Sequence, residues 1–255
     1  MPPPSPTSAP SHPRSSLTPP ANRLRHALLD MLVDKAVGHG KRLPSERQMM
    51  ASLATTRITL REALTQLEAE GRIYRESRRG WFVSPPRLRY DLLACLPFRE
   101  MVESQQRRAD TYVLEATQRP ASTRIAARLG IMEGTPIFHI VRVRHVDGRP
   151  VLYVEHHLRT DCFPGILDHD LGTRSLTELY RSQYSIRVSR VSFELCSTVL
   201  DERAADALRA ASSGPAQRVT RINYDQNGRA IDCDDELWRH DAIELMLSAA
   251  PQNGG

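Results

Sequence analysis

The chain has 255 residues, a formal net charge of +5 and four cysteines, a length that allows two modest domains with their own hydrophobic cores. The cysteines are spread without a C-x-x-C pair, so neither a zinc ribbon nor a secreted disulfide framework is indicated, and we expect reduced thiols in a cytoplasmic protein. No apolar run approaches about 18 residues and the N-terminus has no apolar segment, so we expect neither a membrane-spanning helix nor a signal peptide.

Residues 1–20 contain eight prolines together with serine and threonine. Such a segment cannot bury enough apolar surface to offset the entropy lost on ordering, which predicts a disordered tail. Arg14 and His12 leave a second interpretation open, an arm that touches DNA.

Residues 21–86 concentrate the positive charge. They carry 12 Lys and Arg against 7 Asp and Glu, a net charge of +5, while the rest of the chain is close to neutral. The part of the chain that attracts phosphates is therefore this N-terminal segment.

The same segment predicts three helices and a hairpin. Residues 21–37 have apolar residues at helical spacing and form the first helix. Ser45 with Gln48 has the capping-box pattern that begins a second helix, and a third runs from near Thr56 to Glu70 with Gly71 after it. The hairpin has strands 73–75 and 81–83 and a basic turn at residues 77–80, which is the size of a wing.

The third helix has the character of a DNA-recognition helix. Leu60, Leu64 and Leu67 form its apolar stripe, while Arg57 and Arg61 lie four residues apart beside that stripe. Arginine can bond bidentately to guanine edges in the major groove, and Thr56 and Thr59 at the helix N-terminus can meet phosphate.

The motifs "LPSER", "TRITLREAL" and "RRGWFV" in this order resemble the winged helix-turn-helix of the GntR family of bacterial transcription regulators, over roughly residues 21–85. Trp81 departs from the small polar residue that is common there. The resemblance implies contacts with double-stranded operator DNA from the PSER segment, the start of the recognition helix and the wing tip. These positions are Ser45, Arg47, Thr56, Arg57, Thr59, Arg61, Arg79 and Gly80.

The C-terminal part predicts an antiparallel α+β domain. Residues 87–108 are interpreted as a linker with a helix at 98–106, and residues 109–250 as the second domain. Asp147-Gly148 and Asn227-Gly228 are two-residue hairpin signals. The predicted strands are 111–118, 136–146, 150–157, 189–199, 217–225 and 229–238, and the predicted helices are 122–129, 175–184, 201–211 and 241–249.

The first hairpin suggests a ligand-binding face. If Asp147-Gly148 is the loop, simple alternation places Arg142, Arg144, Tyr153 and Glu155 on one face of the sheet. Two guanidinium groups with a phenol and a carboxylate suit an anionic or zwitterionic small molecule. An exposed ladder with an Arg–Glu ion pair fits the spacing equally well.

The segments "IVRVRHVDGRPVLYVEHHL", "GTRSLTELY" and "RINYDQNGRAIDCDDELWRHD" resemble the UTRA effector domain of the HutC-type subfamily, which has a chorismate-lyase-like fold. The resemblance implies that a small anionic metabolite binds here, with a phosphonate or a phosphorylated compound favoured. Asp232 and Trp238 depart from the Glu and Tyr that are frequent at their positions. The implied effector-binding positions are Arg142, Arg144, Glu155, Thr173, Ser175, Asp232 and Trp238, with Tyr153 added from the alternation.

Other sites receive little support. The histidines at 139, 145, 156, 157 and 169 lack H-x-x-x-H or HExxH spacing, so no metal and no cofactor are predicted. The acidic run 232–236 resembles a cation site, but hairpin pairing sets Arg221 opposite Asp234 and favours a charge ladder. We therefore expect a repressor that binds a palindromic operator as a homodimer, and no enzymatic activity. The alternatives are a lyase-like enzyme and a urocanate-type carboxylate sensor on the same C-terminal fold.

Overall fold

The computed structural model describes residues 20–34 and 40–248. The tail predicted over residues 1–20 lies outside the described residues except for Pro20, the first residue of helix α1 (Pro20–Asp34). None of the helices in the described ranges is long and apolar enough to cross a membrane.

The N-terminal unit is a winged helix-turn-helix. It continues with α2 (Glu46–Ser52), α3 (Arg57–Ala69), β1 (Ile73–Glu76) and β2 (Gly80–Val83), and the two strands pair antiparallel as the wing. The predicted stripe of Leu60, Leu64 and Leu67 is fully buried, and it packs against Leu24 and Leu28 of α1. Trp81 belongs to this core, which explains the large side chain at that wing position.

The segment predicted as a linker contains β3 (Leu88–Asp91) and α4 (Phe98–Glu103). β3 pairs in parallel with β10 (Ile243–Met246). The helix predicted at 241–249 is therefore wrong over its described part. Leu88 donates its backbone N–H to Ala242, and the side chains of Ile243 and Leu88 enter one core, so tertiary pairing overrides the local helical pattern.

Six antiparallel strands form the C-terminal sheet, in the order β4-β5-β6-β9-β8-β7. Asp147 and Gly148 both have positive φ, 52° and 78°, as the predicted two-residue turn between β5 and β6 requires. The elements are β4 (Ala109–Pro120), α5 (Thr123–Leu129), β5 (Pro136–Val146), β6 (Arg149–Arg159), a 3-10 turn (Ile166–Asp168), α6 (Leu176–Tyr184), β7 (Arg190–Val199), α7 (Glu202–Ala207), β8 (Pro215–Tyr224) and β9 (Ala230–Arg239).

The two faces of this sheet are covered by different elements. One face, here called the front, packs against β3, β10, α4 and α6 through Leu152, Leu158 and Trp238. The other, the back face, packs against α5 and α7 through Tyr153 and Cys233. The chain thus has the α+β architecture expected from the sequence.

Candidate functional site

The recognition helix α3 presents its predicted polar side. Thr56 caps the helix, and its hydroxyl accepts the N–H of Thr59 at 3.3 Å. Arg57 and Arg61 are exposed on the side away from the buried leucines. Arg47 is exposed on α2, whose N-terminus shows the predicted capping box between Ser45 and Gln48. These side chains form one basic surface of the winged helix-turn-helix.

Glu46 connects the three parts of this unit, which the sequence did not indicate. Its carboxylate accepts the Arg61 Nε at 3.1 Å and the Trp81 indole N–H at 3.3 Å, and it lies 4.0 Å from Arg57. Although burial opposes it, these hydrogen bonds lower the pKa of Glu46. The recognition helix is therefore held against α2 and the wing by one carboxylate.

The wing tip lies against the C-terminal domain. The backbone N–H of Ser77 donates to the carbonyl of Arg209, 2.9 Å away, in the loop after α7. The Arg79 guanidinium donates to the buried carboxylate of Glu76 and stacks over Phe82, while Gly80 takes the positive φ of 97° that closes the turn.

Two arginines of the C-terminal domain contact the first strand of the wing. The guanidinium groups of Arg149 and Arg239 lie 3.6 and 5.3 Å from the ring centre of Tyr74. Both arginines bond to Asp241, which is fully buried, and Arg239 also donates to the backbone carbonyl of Arg75 at 3.2 Å. Separating the partners of a buried ion pair leaves an uncompensated charge, which is unfavourable. These ion pairs therefore hold the two arginines in place beside the wing.

A cavity of about 130 Å³ lies on the front face, between the sheet, α4 and the N-terminus of α6. Side chains from β3, α4, β5, β6, β8 and β9 surround it, so it is assembled by the whole C-terminal fold. Six of the predicted effector-binding residues line it: Arg142, Arg144, Thr173, Ser175, Asp232 and Trp238.

Tyr153 and Glu155 do not line this cavity, so the prediction that they share a face with Arg142 and Arg144 is wrong. A β-bulge between Arg144 and His145 shifts the hairpin register, and Arg144 pairs with Leu152 instead of the expected Val151. A one-residue shift moves side chains to the opposite face of a strand. Tyr153 and Glu155 therefore lie on the back face, and His156 takes the place in the cavity that Glu155 was expected to occupy.

His156 orients Arg142. Its Nε2 accepts both the Nε and an Nη of Arg142, at 3.0 and 2.8 Å, so its Nδ1 carries the proton and donates to Asp234. Burial and the charge of Arg142 hold the pKa of His156 well below its usual value, which keeps the ring neutral. The histidine thus fixes a cationic side chain at the floor of the cavity.

Arg144 is the cation with spare hydrogen-bonding capacity. Its guanidinium lies 4.8 Å from the ring centre of Phe98, and its buried Nε has no partner among the described residues. Burial lowers the pKa of Arg144, and burial together with the charge of Arg144 lowers the pKa of Arg142 to about 9. An anion placed between the two guanidinium groups would relieve this excess of positive charge.

Carboxylates from β9, which is two strands away from β5 in the same sheet, form another wall of the cavity and lie at alternate positions. Arg221 lies opposite Asp234, as the hairpin pairing predicted, and burial raises the pKa of Asp232 and Asp234. Burial also raises the pKa of Glu236 to about 7, although the Trp238 indole donates to this carboxylate at 2.7 Å. This wall can accept hydrogen bonds from hydroxyl or amino groups of a ligand.

The helix α6 begins at the cavity. Its N-cap residue Ser175 makes no side-chain cap hydrogen bond, so the hydroxyl and the first N–H groups of the helix are available to an anion. The Thr173 hydroxyl instead donates to Asp170 at 2.7 Å. Ser175 is therefore better placed than Thr173 to donate to a ligand.

Comparisons with known proteins agree with this architecture. Residues 20–83 match the bacterial regulatory proteins of the gntR family, and residues 104–244, more than half of the chain, match the UTRA domain. The sequence is 27% identical over 220 residues to the uncharacterized HTH-type transcriptional regulator YihL of Escherichia coli strain K12, covering 85% of this chain and 92% of YihL.

Two further relatives are informative. The HTH-type transcriptional repressor NagR of Bacillus subtilis strain 168 is 28% identical over 204 residues, which cover 80% of this chain and 84% of NagR. The crystal structure of PhnF from Mycobacterium smegmatis is similar with a TM-score of 0.64 and 26% identity, and the match covers 90% of this chain and all of PhnF.

Proposed function

Because the chain belongs to the GntR family of bacterial regulatory proteins and carries a UTRA domain, we propose that it is a transcriptional repressor released from its operator by a small anionic metabolite. It is a DNA-binding transcription regulator by family, and NagR among its relatives is named a repressor. The observation that carries the proposal is that two neighbouring residues of β9 contact the cavity and the wing. Trp238 lines the cavity, and the next residue, Arg239, bonds to the wing.

The reading head is the basic surface of α2 and α3. Arg57, Arg61 and Arg47 are exposed there, and the N-terminus of α3 is capped by a threonine that can also meet phosphate. Insertion of α3 into the major groove would bring Arg57 and Arg61 to base edges, and the wing residues Arg79 and Gly80 to the neighbouring backbone. Ser45, Thr56 and Thr59 complete the proposed contact set.

The effector is proposed to be a phosphonate or a phosphorylated compound. Arg142 and Arg144 offer two guanidinium groups, and the start of α6 offers N–H groups and the Ser175 hydroxyl, a set that suits a tetrahedral oxyanion. Asp232 and Glu236 of β9, which also line the cavity, would accept hydrogen bonds from the rest of the molecule. These two carboxylates replace that of Glu155, which was expected to contact the ligand.

Ligand binding would act on the wing through β9. A molecule that changes the position of Trp238 also changes the start of the turn that carries Arg239 and Asp241, and these residues hold Tyr74 and Arg75 of β1. The ligand would then favour one arrangement of the reading head over another, a population shift between forms that bind DNA and forms that do not.

The protein is proposed to act as a cytoplasmic homodimer on a palindromic operator, because two-fold operators need two reading heads about one helical turn apart. The edge strand β4 supports dimerisation through the C-terminal domain. It exposes the large apolar side chains of Tyr112, Val113 and Leu114, which a second copy could cover.

Fluorescence anisotropy with the DNA upstream of the protein's own gene tests the proposal, with phosphonates, sugar phosphates and urocanate titrated in turn. We expect binding at nanomolar concentration and release by one phosphonate or phosphate. Release by urocanate alone would favour the carboxylate sensor. A ligand consumed in the assay, followed by NMR, would favour the lyase-like enzyme, and absence of DNA binding would contradict the repressor.

A further inference from the structure

The back face of the sheet carries a second cluster of polar side chains, away from the effector cavity. His139 on β5 pairs directly with His157 on β6, and Glu155 precedes His157 by two residues on the same face. One donor atom from each of the three lies within 4.8 Å of the others. Both histidines are buried, whereas Glu155 is partly exposed and opens the cluster to solvent.

Each histidine has its Nε2 on the side of Glu155 and its Nδ1 on the side of another oxygen atom. The Nδ1 of His157 lies 3.1 Å from the backbone carbonyl of Cys233, an acceptor, so this nitrogen carries the proton. The Nδ1 of His139 lies 3.4 Å from the carboxylate of Glu115. Metal-binding histidines in proteins usually donate their second ring nitrogen to a carbonyl or carboxylate in this way.

From this arrangement we propose that His139, Glu155 and His157 bind a divalent transition metal ion, with Zn²⁺ as the first candidate. Two imidazole nitrogens and one carboxylate, with a fourth position open to water, form a donor set that zinc accepts. The Cys233 carbonyl orients His157, and the Glu115 carboxylate lies 3.4 Å from the Nδ1 of His139. The site goes beyond the effector cavity and lies on the other side of strands β5 and β6.

The distances fit with small movements. Metal–ligand bonds of about 2.1 Å in a tetrahedral site place donor atoms about 3.4 Å apart. Here the Nε2 of His139 and that of His157 lie 3.1 and 3.8 Å from the Oε2 of Glu155. The other oxygen of Glu155 accepts the Tyr153 hydroxyl at 3.2 Å, which orients Oε2 toward the histidines.

Arg119 occupies the approach to this cluster. Its Nη2 lies 3.1 Å from the Nε2 of His157 and 3.8 Å from Glu155, so its guanidinium stands near the place of a metal cation. The side chain is 41% exposed at the edge strand and can turn outward into solvent.

The test is zinc binding by the full chain, after removal of metal with a chelator. A Cys196→Ser background excludes the exposed thiol as a competing ligand. We expect isothermal titration with ZnCl₂ to give one site per chain with micromolar or tighter affinity, and Co²⁺ to give the absorption of a tetrahedral site.

Substitutions test whether the proposed residues bind the zinc ion. His139→Gln and His157→Gln should weaken zinc binding at least tenfold, Glu115→Gln less, and Arg119→Ala should strengthen it severalfold. His26→Gln, an exposed histidine on α1, is the matched control and should have no effect. Circular dichroism checks folding. If a histidine variant does not fold, Glu155→Gln and Arg119→Ala still decide the question. Absence of zinc binding by the parent chain, or binding that is unchanged in both Glu155→Gln and Arg119→Ala, would overturn the proposal.

Discussion

Arg239 donates from its guanidinium to the backbone carbonyl of Arg75, 3.2 Å away, and so joins the strand that lines the cavity to the first strand of the wing. The same guanidinium donates to the carbonyl of Leu208 and to Asp241. One side chain therefore sets the position of the wing relative to α7 and β9. It is the contact through which the proposed ligand would act on the wing.

We expect Arg239→Met to uncouple ligand binding from operator release. Methionine keeps an unbranched apolar stem but removes every donor, while Asp241 keeps its partner Arg149. Ligand affinity should stay within about twofold, because Arg239 is not among the residues that line the cavity. The ligand concentration needed to release DNA should rise at least tenfold, measured by anisotropy with the operator duplex. Three lost hydrogen bonds should lower the free energy of unfolding by about 1–3 kcal/mol.

Arg108→Met is the control for this variant. Arg108 is exposed and pairs only with Asp110 among the described residues, so its loss should change neither stability nor release. Unchanged release in Arg239→Met would show that coupling does not pass through this contact.

The double variant Arg57→Ala and Arg61→Ala should lose operator binding by at least about 100-fold, because each arginine that contacts a base contributes about 1–3 kcal/mol. Both side chains are largely exposed, so their ion pairs with Glu46 add little to stability. Ligand affinity, measured by titration calorimetry, should be unchanged. Arg181→Ala with Arg187→Ala removes the same charge from exposed positions of the C-terminal domain and should keep operator binding. Retained operator affinity in the recognition-helix variant would contradict the assignment of α3.

The local patterns of the chain predicted most of the architecture. The cap at Ser45, the leucine stripe of α3 and the Asp147-Gly148 turn each depend on short-range chemistry that the sequence displays directly. The bulge beside Arg144 could not be read from alternation, because a bulge inserts one extra residue into a strand that otherwise alternates. The one-residue shift at this bulge places Tyr153 and Glu155 on the back face.

Long-range pairing explains the other differences. The partner of β10 is β3, about 150 residues earlier, and no local signal at Ile243 indicates it. The period-two series Asp232, Asp234, Glu236 could have indicated the acidic wall of the cavity, since alternate residues share a face. The link from Arg142 through His156 to Asp234 needed the three-dimensional register.

Arg144→Gln should weaken binding of an anionic ligand by about 10- to 100-fold, because a charged hydrogen bond contributes about 1.5–3 kcal/mol. Stability should change little, since Arg144 has no ion pair among the described residues and burial already disfavours its charge. Arg142→Gln should differ by losing stability as well, because it leaves His156 and Asp234 without their cation. Calorimetry and thermal unfolding measure the two effects, with the exposed Arg187→Gln as control. Equal melting losses in both arginine variants would contradict this distinction.

Ligand affinity should fall as the pH rises from 6 to 8. Burial raises the pKa of Glu236 to about 7 and raises that of Asp232, so both carboxyls are largely neutral at pH 6 and charged at pH 8. Their negative charge repels an anion held by Arg142 and Arg144, and binding therefore takes up protons near pH 7. His156 stays neutral over this range and adds no dependence.

Sulfate is the suitable probe for this effect, because its own charge is constant between pH 6 and 8. We expect binding about three- to tenfold weaker at pH 8, with proton uptake measured by calorimetry in buffers of different ionisation enthalpy. Glu236→Gln should reduce the slope, and adding Asp232→Asn should remove it, since the amides keep the shape of the wall without a titrating proton. An affinity that rises with pH would mean that these carboxyls face away from the bound anion, and the anion would then have to lie at the start of α6 alone.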